Sequence, residues 1–196
     1  MRLKMNKILI FFYISFSISI AQRPITSEDI VNLKTVSQAS FHSDGSKIVY
    51  IKSIPSAKDG DKVSSFKEIW VTKSNGKDQK KYTSSSSSIR SPEWTPKGDI
   101  SYLSRNKNFD KNTQIYTIPI DGGEPSILTS HEQGIISYKW SPDGKWIAFT
   151  SKDAISKKRR KEISEGYDMI VMGEEKLFTR LWIYSLKNNS IELLFK

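Results

Sequence analysis

Two histidines, His42 and His131, are the only imidazoles in the chain, and cysteine is absent. An imidazole is the usual general base near neutral pH, but it needs a nucleophile within reach. No Gly-x-Ser-x-Gly elbow supplies one, and neither a glycine-rich phosphate loop nor paired Cys or His metal spacing occurs. His42 belongs to the turn His42-Ser43-Asp44-Gly45, which accounts for it, and His131 falls between two strands. We therefore expect no catalytic residue, no metal ligand and no cofactor site in this chain. The acidic residues Glu165, Asp168, Glu174 and Glu175 are the candidates for capturing the amine of a substrate, with plain surface charge as the alternative. Beside them, Lys157 to Lys161 is a basic run suited to a polyanion or a lipid headgroup, although Glu162, Glu165 and Asp168 flank it like a solvated surface. Asp59-Gly60-Asp61 lacks the further oxygen ligands of a calcium loop.

The elements that must position these residues repeat. Phe41 to Tyr50, Trp94 to Tyr102 and Trp140 to Phe149 each read as an aromatic, a turn ending in glycine, and an alternating apolar strand. The three aromatics stand 53 and 46 residues apart. In the best copy, Ser141-Pro142-Asp143-Gly144, proline presets φ and glycine takes the position where a side chain would clash. Beyond it Ile147, Phe149 and Ser151 point one way and Trp146, Ala148 and Thr150 the other, which is strand periodicity.

A second strand pair follows each hairpin. Glu68 to Thr72, Gln114 to Ile118 and Arg180 to Tyr184 lead through Asn75-Gly76, Asp121-Gly122-Gly123 and Asn188-Asn189 into closing strands near 79–83, 125–129 and 191–195. A repeat of about 45 residues with four antiparallel strands is the size of a β-propeller blade. One such sheet cannot bury both faces, and stacked neighbours can. The expected fold is therefore all-β, a partial propeller of about three four-stranded antiparallel blades over 36–84, 88–130 and 135–196, with an insertion at 153–179. A sandwich of a dozen strands has no reason to repeat its sequence. The insertion reads as an exposed loop or short helix followed by an extended segment, and Ser84 to Ser88 as a flexible connector. In the segment 22–35, Thr26-Ser27-Glu28-Asp29 carries a capping signature for a short helix.

Composition narrows the setting. With 37% hydrophobic and 27% charged residues the chain is too apolar for disorder and too polar for a multi-span membrane protein. Residues 1–21 have the three parts of an export signal: Arg2, Lys4 and Lys7, then 13 uncharged residues from Ile8 to Ile20, then Ser19-Ile20-Ala21 before a cut between Ala21 and Gln22. Removing it takes the formal charge from +10 to +7, so part of the basic excess belongs to targeting. An exported protein, periplasmic or secreted, rarely meets nucleic acid, and it touches the membrane only during export. Without cysteine its stability comes from burial alone.

The run Trp140-Ser141-Pro142-Asp143-Gly144-Lys145-Trp146-Ile147-Ala148-Phe149, followed by an Ile-Tyr or Leu-Trp strand, resembles the repeat shared by TolB and the prolyl oligopeptidase family of serine peptidases. The start at Ile25 to Ile30, together with Gly166-Tyr167-Asp168 to Trp182, resembles the N-terminal propeller of acylaminoacyl-peptidase-like and dipeptidyl-aminopeptidase-like members. This resemblance implies a seven- or eight-bladed propeller that caps an α/β-hydrolase domain and restricts access to short peptides. The Ser, Asp and His of that domain would lie beyond Lys196, so no catalytic residue carries over. It also implies a peptide substrate or protein partner, whereas a TolB-like chain would be an interaction protein without chemistry.

Overall fold

The computed structural model describes residues 23–55, 65–86, 88–105, 112–167 and 177–195. The chain divides into two units, residues 1–33 and 34–196. In the first, α1 (Ser27–Val31) is capped as its sequence suggests: Thr26 accepts from the Asp29 N–H, and the Asp29 carboxylate accepts from the Thr26 N–H.

The second unit holds three four-stranded sheets, each an antiparallel meander in chain order. The first contains β1 (Thr35–Phe41), β2 (Lys47–Pro55), β3 (Ser65–Lys73) and β4 (Lys80–Lys81). The second contains β5 (Arg90–Trp94), β6 (Ile100–Ser104), β7 (Gln114–Ile118) and β8 (Ser126–Ile127). The third contains β9 (Ser137–Trp140), β10 (Trp146–Lys152), β11 (Thr179–Ser185) and β12 (Ser190–Leu193). These are three propeller blades, as the repeat predicts.

The glycine turns behave alike. The N–H groups of Gly45, Gly98 and Gly144 donate to the carbonyls of His42, Thr95 and Ser141 at 2.9, 2.9 and 3.0 Å. All three glycines have positive φ, which costs a residue with a Cβ about 1–2 kcal/mol. In the third blade Asp143 accepts from Ser141 Oγ at 2.6 Å and from the Lys145 N–H at 3.1 Å, which explains the acid before the glycine.

Alternation sends each strand's two faces to different neighbours. Val49, Ile51, Ile69 and Val71 of blade 1 meet Ile100, Tyr102, Tyr116 and Ile118 of blade 2 in one core. Leu103 and Ile115 on the opposite face of blade 2 meet Ile147, Phe149 and Tyr184 of blade 3 in another. Polar groups fix the register: Trp94 Nε1 donates to the Ser40 carbonyl at 3.0 Å, and Trp140 Nε1 to Ser101 Oγ at 2.9 Å. Tyr138 donates to the Ser91 carbonyl at 3.0 Å.

The insertion contains α2 (Lys157–Ser164), N-capped by Ser156, so the basic run is helical. Ser85, Ser86 and Ser88, between blades 1 and 2, are hydrogen-bonded. Ser85 Oγ donates to Glu68 at 2.7 Å, Ser86 exchanges two backbone hydrogen bonds with Lys67, and Ser88 Oγ meets Ser104 Oγ at 3.0 Å. Hydroxyls beside polar groups on β3 and β6 find partners that composition does not reveal.

Candidate functional site

In a meander of four strands, the first and third connections lie at one end of the sheet and the second at the other. Here the two ends differ. One carries only short turns, at 42–46, 74–79, 95–99, 119–125, 141–145 and 186–189. The opposite end carries the described residues of the interblade connections, 82–86, 88–89 and 128–136, and the two described ends of the insertion, 153–167 and 177–178. Long connections on a rigid scaffold are where binding residues collect, so this end is the candidate functional face.

One position in each blade organises that face. Glu68, Gln114 and Arg180 stand two residues before the paired aromatic of the third strand, Trp70, Tyr116 and Trp182. Glu68 accepts from Ser85 Oγ at 2.7 Å, from Trp70 Nε1 at 2.9 Å and from Lys81 Nζ at 3.3 Å. Burial opposes its charge, yet these donors hold the carboxyl below its ordinary range. Gln114, fully buried, donates to the His131 carbonyl at 2.9 Å and accepts from the His131 N–H and Thr129 Oγ1, both at 3.1 Å. Arg180 donates to the Asp153 carboxylate at 2.9 and 3.2 Å, closing the base of the insertion. The Arg180 hydrogen bond keeps the Asp153 carboxyl below its usual range. Three different side chains thus do one job, tying a long connection to its blade. Their signal in the sequence is a polar residue at an inward strand position, which strand periodicity alone passes over.

The histidines are not an acid–base pair. His42 Nδ1 lies 2.7 Å from Asp44 Oδ1 within the short-turn end, and its ring stands edge-on to Trp94 at 4.8 Å. His131 sits on the long-connection end with its ring 5.2 Å from Phe149 and 4.7 Å from Trp182. Its Nε2 is buried without a hydrogen-bond partner, as is Trp182 Nε1. Burial lowers the His131 pKa, so the ring is neutral near pH 7.

Of the acidic candidates, Glu165 is exposed at the C-cap of α2, 3.7 Å from Lys161 Nζ. Asp168, Glu174 and Glu175 lie outside the described residues, as do Ala21, Gln22 and Asp59-Gly60-Asp61. Within α2 the basic run is partly neutralised: Lys158 and Arg159 both reach Glu162, at 3.8 and 3.4 Å. Among the described residues no group of three or more acidic or imidazole side chains could hold a metal ion. None of their helices is long and apolar enough to cross a membrane.

No family model matches the chain. Among curated proteins it is 28% identical over 126 residues to the uncharacterized peptidase YuxL of Bacillus subtilis, covering 64% of this chain and 19% of that protein. It is 27% identical over 128 residues to dipeptidyl-peptidase 5 of Porphyromonas endodontalis, covering 65% and 18%. The chain resembles the propeller region of peptidases of the prolyl oligopeptidase type. It spans about a fifth of the length of these two relatives.

Solved structures show the same β-propeller fold. The AtxE2 isopeptidase superposes with a TM-score of 0.64 at 15% identity over 88% of this chain and 32% of that one. The acylaminoacyl peptidase of Pyrococcus horikoshii gives 0.59 at 12% identity over 84% and 25%. TolB of Acinetobacter baumannii gives 0.50 at 19% identity over 80% and 31%. The same blade fold therefore occurs in proteins named as peptidases and in TolB.

Proposed function

We propose that this chain is the non-catalytic propeller portion of an exported serine peptidase that acts on short peptides. Its own role is to bind and gate the substrate, and the α/β-hydrolase domain that supplies the activated serine follows Lys196 in the complete protein. The observation that carries this reading is the sequence match of the blades to two proteins named as peptidases. The gathering of the long connections on one end of the blades supports it, because a gate needs one face that meets the substrate.

In this reading Glu165, Asp168, Glu174 and Glu175 present negative charge to the α-amine of a peptide. Residues 1–21 direct export, and cleavage falls between Ala21 and Gln22. A fluorophosphonate probe applied to the native protein tests the peptidase assignment, since only an activated serine is labelled. Labelling supports it, and a coding sequence that continues past Lys196 without a Gly-x-Ser-x-Gly motif followed by Asp and His refutes it. Amino-terminal sequencing of the exported protein tests the signal, with Gln22 expected first. Neutralising the four acids together is expected to raise KM for peptides with a free amine and to leave kcat unchanged.

A second reading is favoured by the likeness to TolB. There the blades form a protein-binding surface in the periplasm and no chemistry occurs. Absence of labelling combined with capture of a protein partner would favour it.

A further inference from the structure

Charge is divided unevenly between the two ends of the blades. At the end with the long connections, Lys34, Lys52, Lys67, Arg90, Arg105 and Lys152 stand at or near strand ends, and none has an acidic partner among the described residues. Lys81 and Arg180, by contrast, are paired with Glu68 at 3.3 Å and Asp153 at 2.9 Å. In α2, Lys158 and Arg159 reach Glu162 and Lys161 reaches Glu165, which leaves Lys157 and Arg160 without an acidic partner among the described residues. Glu132 is the one carboxylate of the described residues at this end that lacks a cation.

The short-turn end has no such excess. Its six turns carry more carboxylates, Asp99, Asp121 and Glu124 among them, than lysines. The sequence outside the described residues does not reverse the contrast: Lys58 and Lys62 offset Asp59 and Asp61, Lys107 and Lys111 outweigh Asp110 by one charge, and Asp168, Glu174 and Glu175 outweigh Lys176 by two.

Neutral partners explain why the cations keep their charge. Lys52 Nζ lies 4.5 Å over the Trp70 ring, and Arg90 donates to the Ile135 and Ile136 carbonyls at 2.9 and 2.7 Å. Arg105 and Lys152 are exposed. Strands here run from five residues in β6 to nine in β3, so at about 3.3 Å per residue the two ends stand about 15 Å or more apart. Screening at physiological salt acts over about 8 Å, so the short turns do not cancel the field at the long connections.

We propose that the long-connection end takes acidic peptides, short chains bearing aspartate or glutamate side chains, which its unpaired cations attract and hold. This deepens the reading of that end as the peptide gate and rests on it. The four acids assigned to the α-amine have the opposite sign, so the fitting substrate has a free amine followed by its acidic side chains. The cations come from all three blades and are separated by connections, which suits a short chain lying among them better than a flat bilayer. A cationic cleft of this kind raises both the local concentration and the association rate of an anionic ligand.

Fluorescence anisotropy of the full chain tests this with two labelled peptides of equal length and free amine, one carrying two Glu residues and the other two Gln. At about 20 mM salt the Glu peptide is expected to bind at least about tenfold more tightly, and the advantage should shrink severalfold at about 200 mM. Arg105→Glu and Lys152→Glu, both at exposed positions, should each reduce the advantage by about threefold or more with unchanged circular dichroism. Lys97→Glu and Lys187→Glu, on the short turns, should leave it intact. Equal affinities, no detectable binding of the Glu peptide, or an advantage that the short-turn variants abolish equally would overturn the proposal. Binding to vesicles of anionic phospholipid without a preference for the Glu peptide would assign the cations to a bilayer and overturn it too. The fluorophosphonate result separates the two readings: a labelled protein without the preference refutes the substrate class alone, and an unlabelled protein that keeps it refutes the peptidase alone.

Discussion

The side chain of Gln114 brackets the backbone of His131, donating to its carbonyl at 2.9 Å and accepting from its N–H at 3.1 Å. One amide thereby holds the connection between blades 2 and 3 against β7 of blade 2. A third hydrogen bond, from Thr129 Oγ1, uses the remaining capacity of the Gln114 oxygen. Gln114→Leu removes all three bonds and leaves the His131 backbone groups unmatched beside an apolar side chain. The expected loss is about 3 kcal/mol of unfolding free energy, read as a lower urea midpoint at unchanged slope.

His131 makes stability depend on pH in a separable window. Its folded pKa is lowered by burial, so between that value and its unfolded value near 6.5 the unfolded chain binds more protons. Stability is therefore full above about pH 7 and declines as pH falls through the unfolded value. The depressed carboxyls of Asp44, Asp143 and Asp153 lose their contributions only in more acid solution. In His131→Phe the urea midpoint should be flatter between about pH 5 and 7 than in the parent chain. Parallel pH curves would refute the assignment.

The Asp153–Arg180 pair closes the insertion and not the core, since neither residue is buried. Asp153 also accepts from the Phe178 N–H at 3.2 Å, so one carboxylate joins both ends of the segment. Asp153→Ala should speed tryptic cleavage in the Lys157 to Lys161 run while leaving the thermal midpoint nearly unchanged.

Gly45 and Gly144 share a conformation but not a neighbourhood. A Cβ on Gly45 meets nothing within 4 Å, whereas one on Gly144 comes within 3.2 Å of Pro96 in the preceding blade. Gly45→Ala should cost the backbone strain alone, about 1–2 kcal/mol. Gly144→Ala should cost more, because it also pushes two blades apart. Equal midpoints for the two variants would show that Pro96 yields freely.

Much of the architecture is legible in the sequence because each blade repeats a local code. The turn Ser141-Pro142-Asp143-Gly144 and the alternation of Ile147 and Phe149 with Trp146 and Ala148 depend on steric preferences within a few residues. The hairpin, the buried face and the strand count all follow from them. The short helix after Thr26 follows from the same kind of local hydrogen bonding. The hydrogen bonds of Ser85, Ser86 and Ser88 are not legible in composition, because their partners, Glu68, Lys67 and Ser104, are far from local.

The candidate face is less legible. Glu68, Gln114 and Arg180 have no side-chain chemistry in common, so sequence similarity does not align them as one device. Only the register of the third strands places them at one level and brings Ser85, His131 and Asp153 to meet them. Sequence alone determined the blade, since φ/ψ preference and a period of two are properties of a short segment. The tertiary structure decided which faces are filled and which connections are held. Those depend on surfaces from separate blades meeting, and the free energy of burial or of a buried hydrogen bond exists only once they do.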